Sequence, residues 1–324
     1  MKLLTFEHPG AVGPGTARLG ALGPDGGVIA FHVRDDQPAL QSMRALIAAG
    51  AGGLARAREI VAGAQDSIDP ATIRWLAPLP RPTQMRDFVA FEKHMLAAGT
   101  NGARLRETLG GPPAPAQGVP VPPIWYQIPI YYKCNRLSVV GPDSVVQWPE
   151  DSSVIDYELE LACVIGTPAR DVPADSAGAH IFGYTIFNDL TARDLQFREM
   201  QGPFGPAKGK DFDGGNVLGP VIVTADEFDG QPALAMRAHV NGELWSDGNS
   251  ATMHWSFAQM IAHVSRAETL HAGEILGSGT VGGGCGLELG RFLQHEDEVV
   301  LEIEGLGRLA TRIHAPHVAQ RKTL

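Results

Sequence analysis

Three acidic residues at alternate positions of an apolar run are the most chemically loaded feature of this chain. In "IDYELELACVIG" (155–166), a strand would put Asp156, Glu158 and Glu160 on one face and Tyr157, Leu159 and Leu161 on the other. Burying unpaired carboxylates is costly, so such groups protonate or find a cation. Glu158 and Glu160 would lie roughly 7 Å apart along the strand, near enough to grip one ion. Oxygen-only ligands select a hard cation, Mg²⁺, Mn²⁺ or Ca²⁺. The pattern equally describes a strand with one wet face and merely solvated glutamates, which taken alone is the commoner case.

Four further stretches carry groups of interest. In "FNDLTARDLQ" (187–196), Asp189, Arg193 and Gln196 are spaced to share one helix face, a carboxylate, a forked cation and an amide suited to an oxyanion beside a metal. An Asn/Asp cap with a surface ion pair would read the same way. In "MRDFVAFEKHM" (85–95), Asp87 and His94 are seven apart, two turns if helical. Histidine suits proton transfer near neutral pH, although one histidine with a distant aspartate is more often incidental. Lys210 lies in the glycine-rich "GPAKGKDFDGGNVLGP" (205–220), where an ammonium and backbone amides can meet an anion; Lys208 reads as its solvated neighbour. "GSGTVGGGCGLELG" (277–290) matches G-x-G-x-x-G literally, but "GLELG" reads as strand, not as the helix a dinucleotide site requires. A tight loop carrying Thr280 toward a ligand fits better, and Glu288 on the strand after it is neutral. His254 and His263 have no carboxylate pattern around them and read as structural.

Elements must hold these groups. The 324 residues are 44% hydrophobic and 19% charged, enough for a large core in one or two domains. The 36 acidic and 26 basic residues give a formal charge of −10, which disfavours nucleic acid as a partner. No apolar run reaches membrane-span length and the start lacks a signal-peptide core, so a cytoplasmic protein is expected. Cys134, Cys163 and Cys285 are scattered, against a disulfide framework or zinc-thiolate site.

Residues 1–79 read as a small α+β unit, with two strands around the Pro-Asp-Gly-Gly turn and a helix ending at Gly50. Residues 80–324 read as a second domain of many short strands, with helices at 87–98, 191–200 and 256–266. The proline-rich 110–123 cannot be a regular element; it is either a lid or a surface loop. The fold class is α+β and β-rich, a mixed β-sandwich roll after a small N-terminal domain.

In order, "RDFVAFEKH", "IDYELELA", "FGYTIFNDLTARDLQ", "GPAKGKDF" and "GEILGSGT…LELG" resemble the fumarylacetoacetate hydrolase family over about residues 80–310. The resemblance implies the β-roll fold, usually as a homodimer. It implies a divalent metal, Mg²⁺ first, held by Asp87, Glu158, Glu160 and Asp189. It implies a catalytic His94 partnered by Glu288, oxyanion groups Arg193, Gln196 and Lys210, and substrate contacts from Thr280 and Tyr132, with Tyr131 competing for the last. Three positions depart from the pattern. Val89 replaces a substrate tyrosine, an arginine downstream of His94 has only Arg104 and Arg106 as candidates, and Ala97 replaces the lid glutamate of the acylpyruvase branch. The implied reaction is hydrolysis of a carbon–carbon bond in a 1,3-diketo acid by His94-activated water. Hydratase, decarboxylase or sugar-acid dehydratase chemistry on a 2-oxo acid is the alternative, and a non-catalytic metal or small-acid binding module a third.

Overall fold

The predicted turn at 24–27 forms as expected: Gly26 takes a positive φ and the Asp25 side chain accepts the Gly27 N–H at 3.0 Å. The computed structural model describes residues 1–8, 15–202, 204–318 and 323–324. The first part holds β1 (Lys2–Glu7), β2 (Arg18–Leu22), β3 (Val28–Ala30) and α1 (Met43–Gly63). The Ser42 hydroxyl caps α1 by accepting the Ala45 N–H. The helix does leave helical conformation at Gly50 (φ 59°, ψ −141°), but it resumes at once instead of ending there. Beyond it come β4 (Met85–Phe88), α2 (Glu92–Thr108) and β5 (Tyr131–Lys133). Next are β6 (Ile155–Asp156), β7 (Leu159–Ile165), β8 (Ile181–Asp189), α3 (Arg193–Glu199) and β9 (Asn216–Thr224). The last part holds β10 (Ala235–Val240), β11 (Glu243–Asn249), α4 (Phe257–Val264), β12 (Ile275–Gly277), α5 (Gly286–Leu289), β13 (Glu298–Ile303) and β14 (Gly307–His314).

Two sheets result. The larger runs β3-β2-β1-β9-β8-β7-β12-β4-β5, and the smaller runs β11-β10-β13-β14 and on to Ser144–Gln147. Most pairs are antiparallel; β12 with β4 is parallel, so the sheet is mixed. Leu161, Cys163, Ile186 and Val221 of the first sheet share one core with Met236, Val240, Val299 and Leu309 of the second. The alternate residues Ala162, Val164, Leu218 and Ile222 face the other way, onto Leu46, Ile47 and Ile60 of α1. This is the α+β, β-rich sandwich roll predicted above. Residues 1–79 are not sealed off from it, because β1 pairs with β9 inside the larger sheet. The proline-rich 110–123 is irregular until a 3-10 turn begins at Pro123, and it lies along α2, where the Glu107 side chain accepts the Ala114 N–H and the Thr100 hydroxyl accepts the Val119 N–H. Among the described residues no helix is long and apolar enough to cross a membrane.

Three further expected elements differ. Asp189 ends β8 and α3 begins only at Arg193, so Asp189 does not share a helix face with Arg193 and Gln196. Asp87 sits on β4, not on a helix with His94, so their spacing is a strand, a turn and one helical turn. "GLELG" forms the single turn α5 instead of a strand, gripped from outside as described below.

Strand alternation on β4 also sends Arg86 away from Asp87, into a buried ion pair with Glu274 and a second contact with Glu268. Removing one partner of a buried pair costs far more than an exposed pair is worth. Glu274→Ala is therefore expected to lower unfolding free energy by about 3 kcal/mol in urea titrations. A loss below about 1 kcal/mol would mean that Glu268 alone satisfies the guanidinium.

Candidate active site

Three distant strands bring the predicted carboxylates together. β4 supplies Asp87, β7 supplies Glu160, the residue pair before β7 supplies Glu158, and β8 ends in Asp189. One oxygen from each lies within 4.8 Å of the others, and each residue is at most 4% exposed. The Asn188 side chain fixes Glu158 by accepting its backbone N–H at 3.1 Å.

The glycine loop after β12 is built against this cluster. Gly277 stands opposite Asp87 in the β12–β4 register. A Cβ there would come 2.4 Å from Asp87 Oδ1 and 2.9 Å from Glu160 Oε2. The Gly279 N–H donates to both of those oxygens at 3.1 Å. The loop predicted to deliver Thr280 therefore delivers backbone to the carboxylates; Thr280 itself is buried.

Two cations are already engaged. Lys210 Nζ donates to Glu158, Asp189 and Thr191, which uses all three of its protons. The oxyanion contact expected of it has no donor left in this arrangement. Arg193 Nε donates to Asp156 at 2.7 Å, Nη1 donates to Gln196 Oε1 at 3.1 Å, and Nη2 lies 2.7 Å from Glu158 Oε1 without aiming a proton at it. Gln196 Nε2 has no protein partner among the described residues. Tyr132 donates to Asp189 at 2.7 Å, whereas Tyr131 packs on Phe88 beneath Arg86. Of the two arginine candidates, Arg106 stacks over Phe197 and Arg104 donates to Asn101.

Five buried carboxylates, Asp156 included, thus face two cations, and the surplus shows in their proton affinities. Burial drives Asp87 and Glu160 well above the usual carboxylate range, and each is raised further by a neighbouring carboxylate, Asp189 and Asp87 respectively. Asp189 is pushed up to about 6 by burial, against the pull of Lys210. Burial also opposes ionisation of Glu158, but the charges of Lys210, Arg193 and His94 outweigh it and hold it at about 2. Glu160 Oε1 and Asp189 Oδ1 are buried with no hydrogen-bond partner. Orphaned acceptors, oxygen-only donors and excess negative charge fit a hard dication held by Asp87, Glu158, Glu160 and Asp189.

This has a pH consequence. A carboxyl raised on folding stabilises the fold below its unfolded pKa and gives that stability up as pH climbs through the folded value. For Asp189 the window runs from its ordinary 3.8 to about 6, and Asp87 and Glu160 extend it upward. Glu158 and Glu288, both lowered, lose their contribution only in more acid solution. In chelator, the melting temperature should fall between pH 5 and pH 8, and saturating Mg²⁺ or Mn²⁺ should flatten the slope. A flat profile in chelator would mean that the carboxylates are satisfied without a cation.

Beside the cluster lies the predicted dyad. His94, in the first turn of α2, places Nδ1 2.8 Å from Glu288 Oε1. The Gly283 and Gly284 N–H groups donate to the Glu288 carboxylate at 2.7 and 3.2 Å. Burial would raise Glu288, but the nearby His94 and these donors hold it below the usual range. With Glu288 ionised, Nδ1 donates to it, and in the neutral form of the ring the lone pair then lies on Nε2.

The single turn α5 that carries Glu288 is too short to persist alone. Asp156 accepts the Gly286 and Leu287 N–H groups at 2.6 and 2.9 Å, and Asn101 on α2 donates to the Leu287 and Glu288 carbonyls. Asp156 also binds Arg193, so it ties the dyad to Glu158 of the carboxylate cluster. Sequence reasoning noted Asp156 only as a third like charge, read Gly277 and Gly279 only as part of a tight loop, and missed Asn101.

A sequence profile described as "Fumarylacetoacetate (FAA) hydrolase C-terminal" matches residues 87–314. The chain is 32% identical over 317 residues to "Oxaloacetate tautomerase FAHD2A, mitochondrial" of Homo sapiens, covering 97% of this chain and 91% of that protein. The solved fumarylacetoacetate hydrolase of Exiguobacterium antarcticum superposes with a TM-score of 0.70 at 29% identity, covering 97% of this chain and 99% of the other. A maleylpyruvate hydrolase of Sphingobium sp. SYK-6, solved with manganese(II) and pyruvate, shares the fold at 22% identity, with a TM-score of 0.71 over 97% of this chain and 99% of its own.

Proposed function

This chain belongs to the fumarylacetoacetate hydrolase family, and from that premise we propose that it is a metal-dependent enzyme interconverting the keto and enol forms of a 2-oxo dicarboxylic acid such as oxaloacetate. Tautomerisation is not among the reactions named from the sequence. It is preferred because a full-length relative at 32% identity bears that activity in its name. The observation that carries it is one oriented base, His94, beside a cation site from which solvent is largely shut out. Asp87, His94, Glu158, Arg193, Gln196 and Lys210 are each no more than 8% exposed. Moving a proton between carbon and oxygen needs a base and charge stabilisation but no stoichiometric water, and a dry site strengthens both.

Held by Asp87, Glu158, Glu160 and Asp189, a dication would supply Lewis-acid stabilisation of negative charge on the substrate's 2-oxo oxygen. His94 Nε2 takes a proton from the carbon beside the oxo group, and the C–H pair becomes the enol double bond. The same proton returns to the oxygen; the reverse reaction retraces the path. Glu288 balances the imidazolium charge that forms between these transfers. Gln196 offers its free amide to a substrate oxygen, and Arg193 holds Gln196 in place. Lys210 keeps Glu158 and Asp189 ionised and ready for the cation.

Carbon–carbon hydrolysis, the sequence-based expectation, is the second reading, supported by the likeness to the Exiguobacterium antarcticum fumarylacetoacetate hydrolase. It would use the same His94 on a water molecule. Enol oxaloacetate and an acylpyruvate, each assayed with Mg²⁺ or Mn²⁺ and with chelator, separate the two. Metal-dependent loss of the enol absorbance with oxaloacetate recovered intact supports tautomerisation. Two acids released from acylpyruvate, with no acceleration of enol decay, would replace it with hydrolysis.

A further inference from the structure

The Cys285 thiol has no place in the mechanism above, yet it faces both members of the dyad. Its Sγ is 3.6 Å from Glu288 Oε1, the oxygen that His94 Nδ1 meets at 2.8 Å. A ring nitrogen of His94, Cys285 Sγ and a Glu288 oxygen all lie within 4.8 Å of one another. Tetrahedral zinc, with bonds of about 2.0–2.3 Å, sets its ligands roughly 3.3–3.8 Å apart, so small side-chain adjustments would bring all three onto one ion. Cys285 is fully buried and its backbone bridges to Glu158, so the thiol is held in position.

We propose that His94, Cys285 and Glu288 form a second, inhibitory site for zinc or a similar borderline-soft cation, adjoining the carboxylate site but distinct from it. One nitrogen, one sulfur and one oxygen, with a fourth position open, are a zinc donor set; four carboxylates are the donor set of Mg²⁺ or Mn²⁺. The two sites therefore sort cations by softness. Binding through Nδ1 expels the thiol proton to solvent, moves the imidazole proton from Nδ1 to Nε2, and so removes both the free lone pair and the carboxylate that the reaction needs. Zinc then stops turnover without displacing the hard dication. The inhibitory half rests on the reading of His94 as the base; the binding half does not.

Cobalt(II) makes binding visible without turnover, because a thiolate ligand gives it a near-ultraviolet charge-transfer band. The full-length protein, first saturated with Mg²⁺, is titrated with Co²⁺ and then Zn²⁺. The band should appear with one equivalent of Co²⁺, vanish as Zn²⁺ replaces it, and be absent from Cys285→Ser. Cys134→Ser should keep the band. Cys285→Ser should keep its Mg²⁺-supported activity and resist zinc about tenfold or more, since loss of even an outer partner of a bound metal costs about 10–100-fold in affinity. No band in the parent protein, or a band retained in Cys285→Ser, would overturn the site. Equal zinc sensitivity in parent and Cys285→Ser would overturn the inhibition. If the proposed substrate is wrong, the cobalt band still reads the site.

Discussion

Replacing His94 with alanine should lower kcat by about 10²–10⁴, the usual worth of a general base. Affinity for Mg²⁺ or Mn²⁺ should change little, because His94 is not among the four carboxylate ligands. Glu288→Gln should fall between parent and His94→Ala, since it leaves the imidazole in place but removes the charge that balances it. Steady-state kinetics beside calorimetric metal titration check this. Activity within a few-fold of the parent for His94→Ala would remove the base from the mechanism. Metal affinity lost together with activity would mean that the dyad supports the cation site instead of acting beside it.

The second large effect comes from a residue without a side chain. Gly277→Ala would set a methyl carbon 2.4 Å from Asp87 Oδ1 and 2.9 Å from Glu160 Oε2, so both carboxylates must move. Gly277 does not need a positive φ, so the strand backbone itself tolerates alanine, but the new carbon would also stand 3.0 Å from the buried Phe187 ring, which must give way as well. A displacement of this size in a catalytic group costs roughly 10² in rate, and metal affinity should fall with it. Calorimetry and turnover under saturating Mn²⁺ check the two parts. Parent-like metal affinity would show that the cluster has slack and that close backbone approach is not what shapes it.

The candidate site was legible where chemistry is written into short, ordered motifs. Glu158 and Glu160 point the same way, one just ahead of β7 and one on it, and Asn188-Asp189 ends the next strand, as the sequence suggests. Elements were less legible than residues. The seven-residue spacing of Asp87 and His94 fits a helix, but β4 is fixed by its neighbours β12 and β5, which are distant in sequence. "GLELG" alternates like a strand, and nothing local makes it turn. Its grips are Asp156, 130 residues away, and Asn101 on another helix. The engagement of Lys210 by three acceptors is likewise invisible until the chain folds. A lysine in a glycine-rich turn looks like a free anion receptor, and here it already has anions.

The pairing of β1 with β9 carries a practical consequence. The profile match begins at Asp87, so a fragment trimmed to the recognisable family region would discard β1 and with it the neighbour of β9. Part of the N–H and C=O row of β9 would then lie bare, one strand from the strand that ends in Asp189. A naked sheet margin recruits other chains. The unmatched leader is therefore a selvage, and the trimmed fragment should clump in solution even though every catalytic side chain is present.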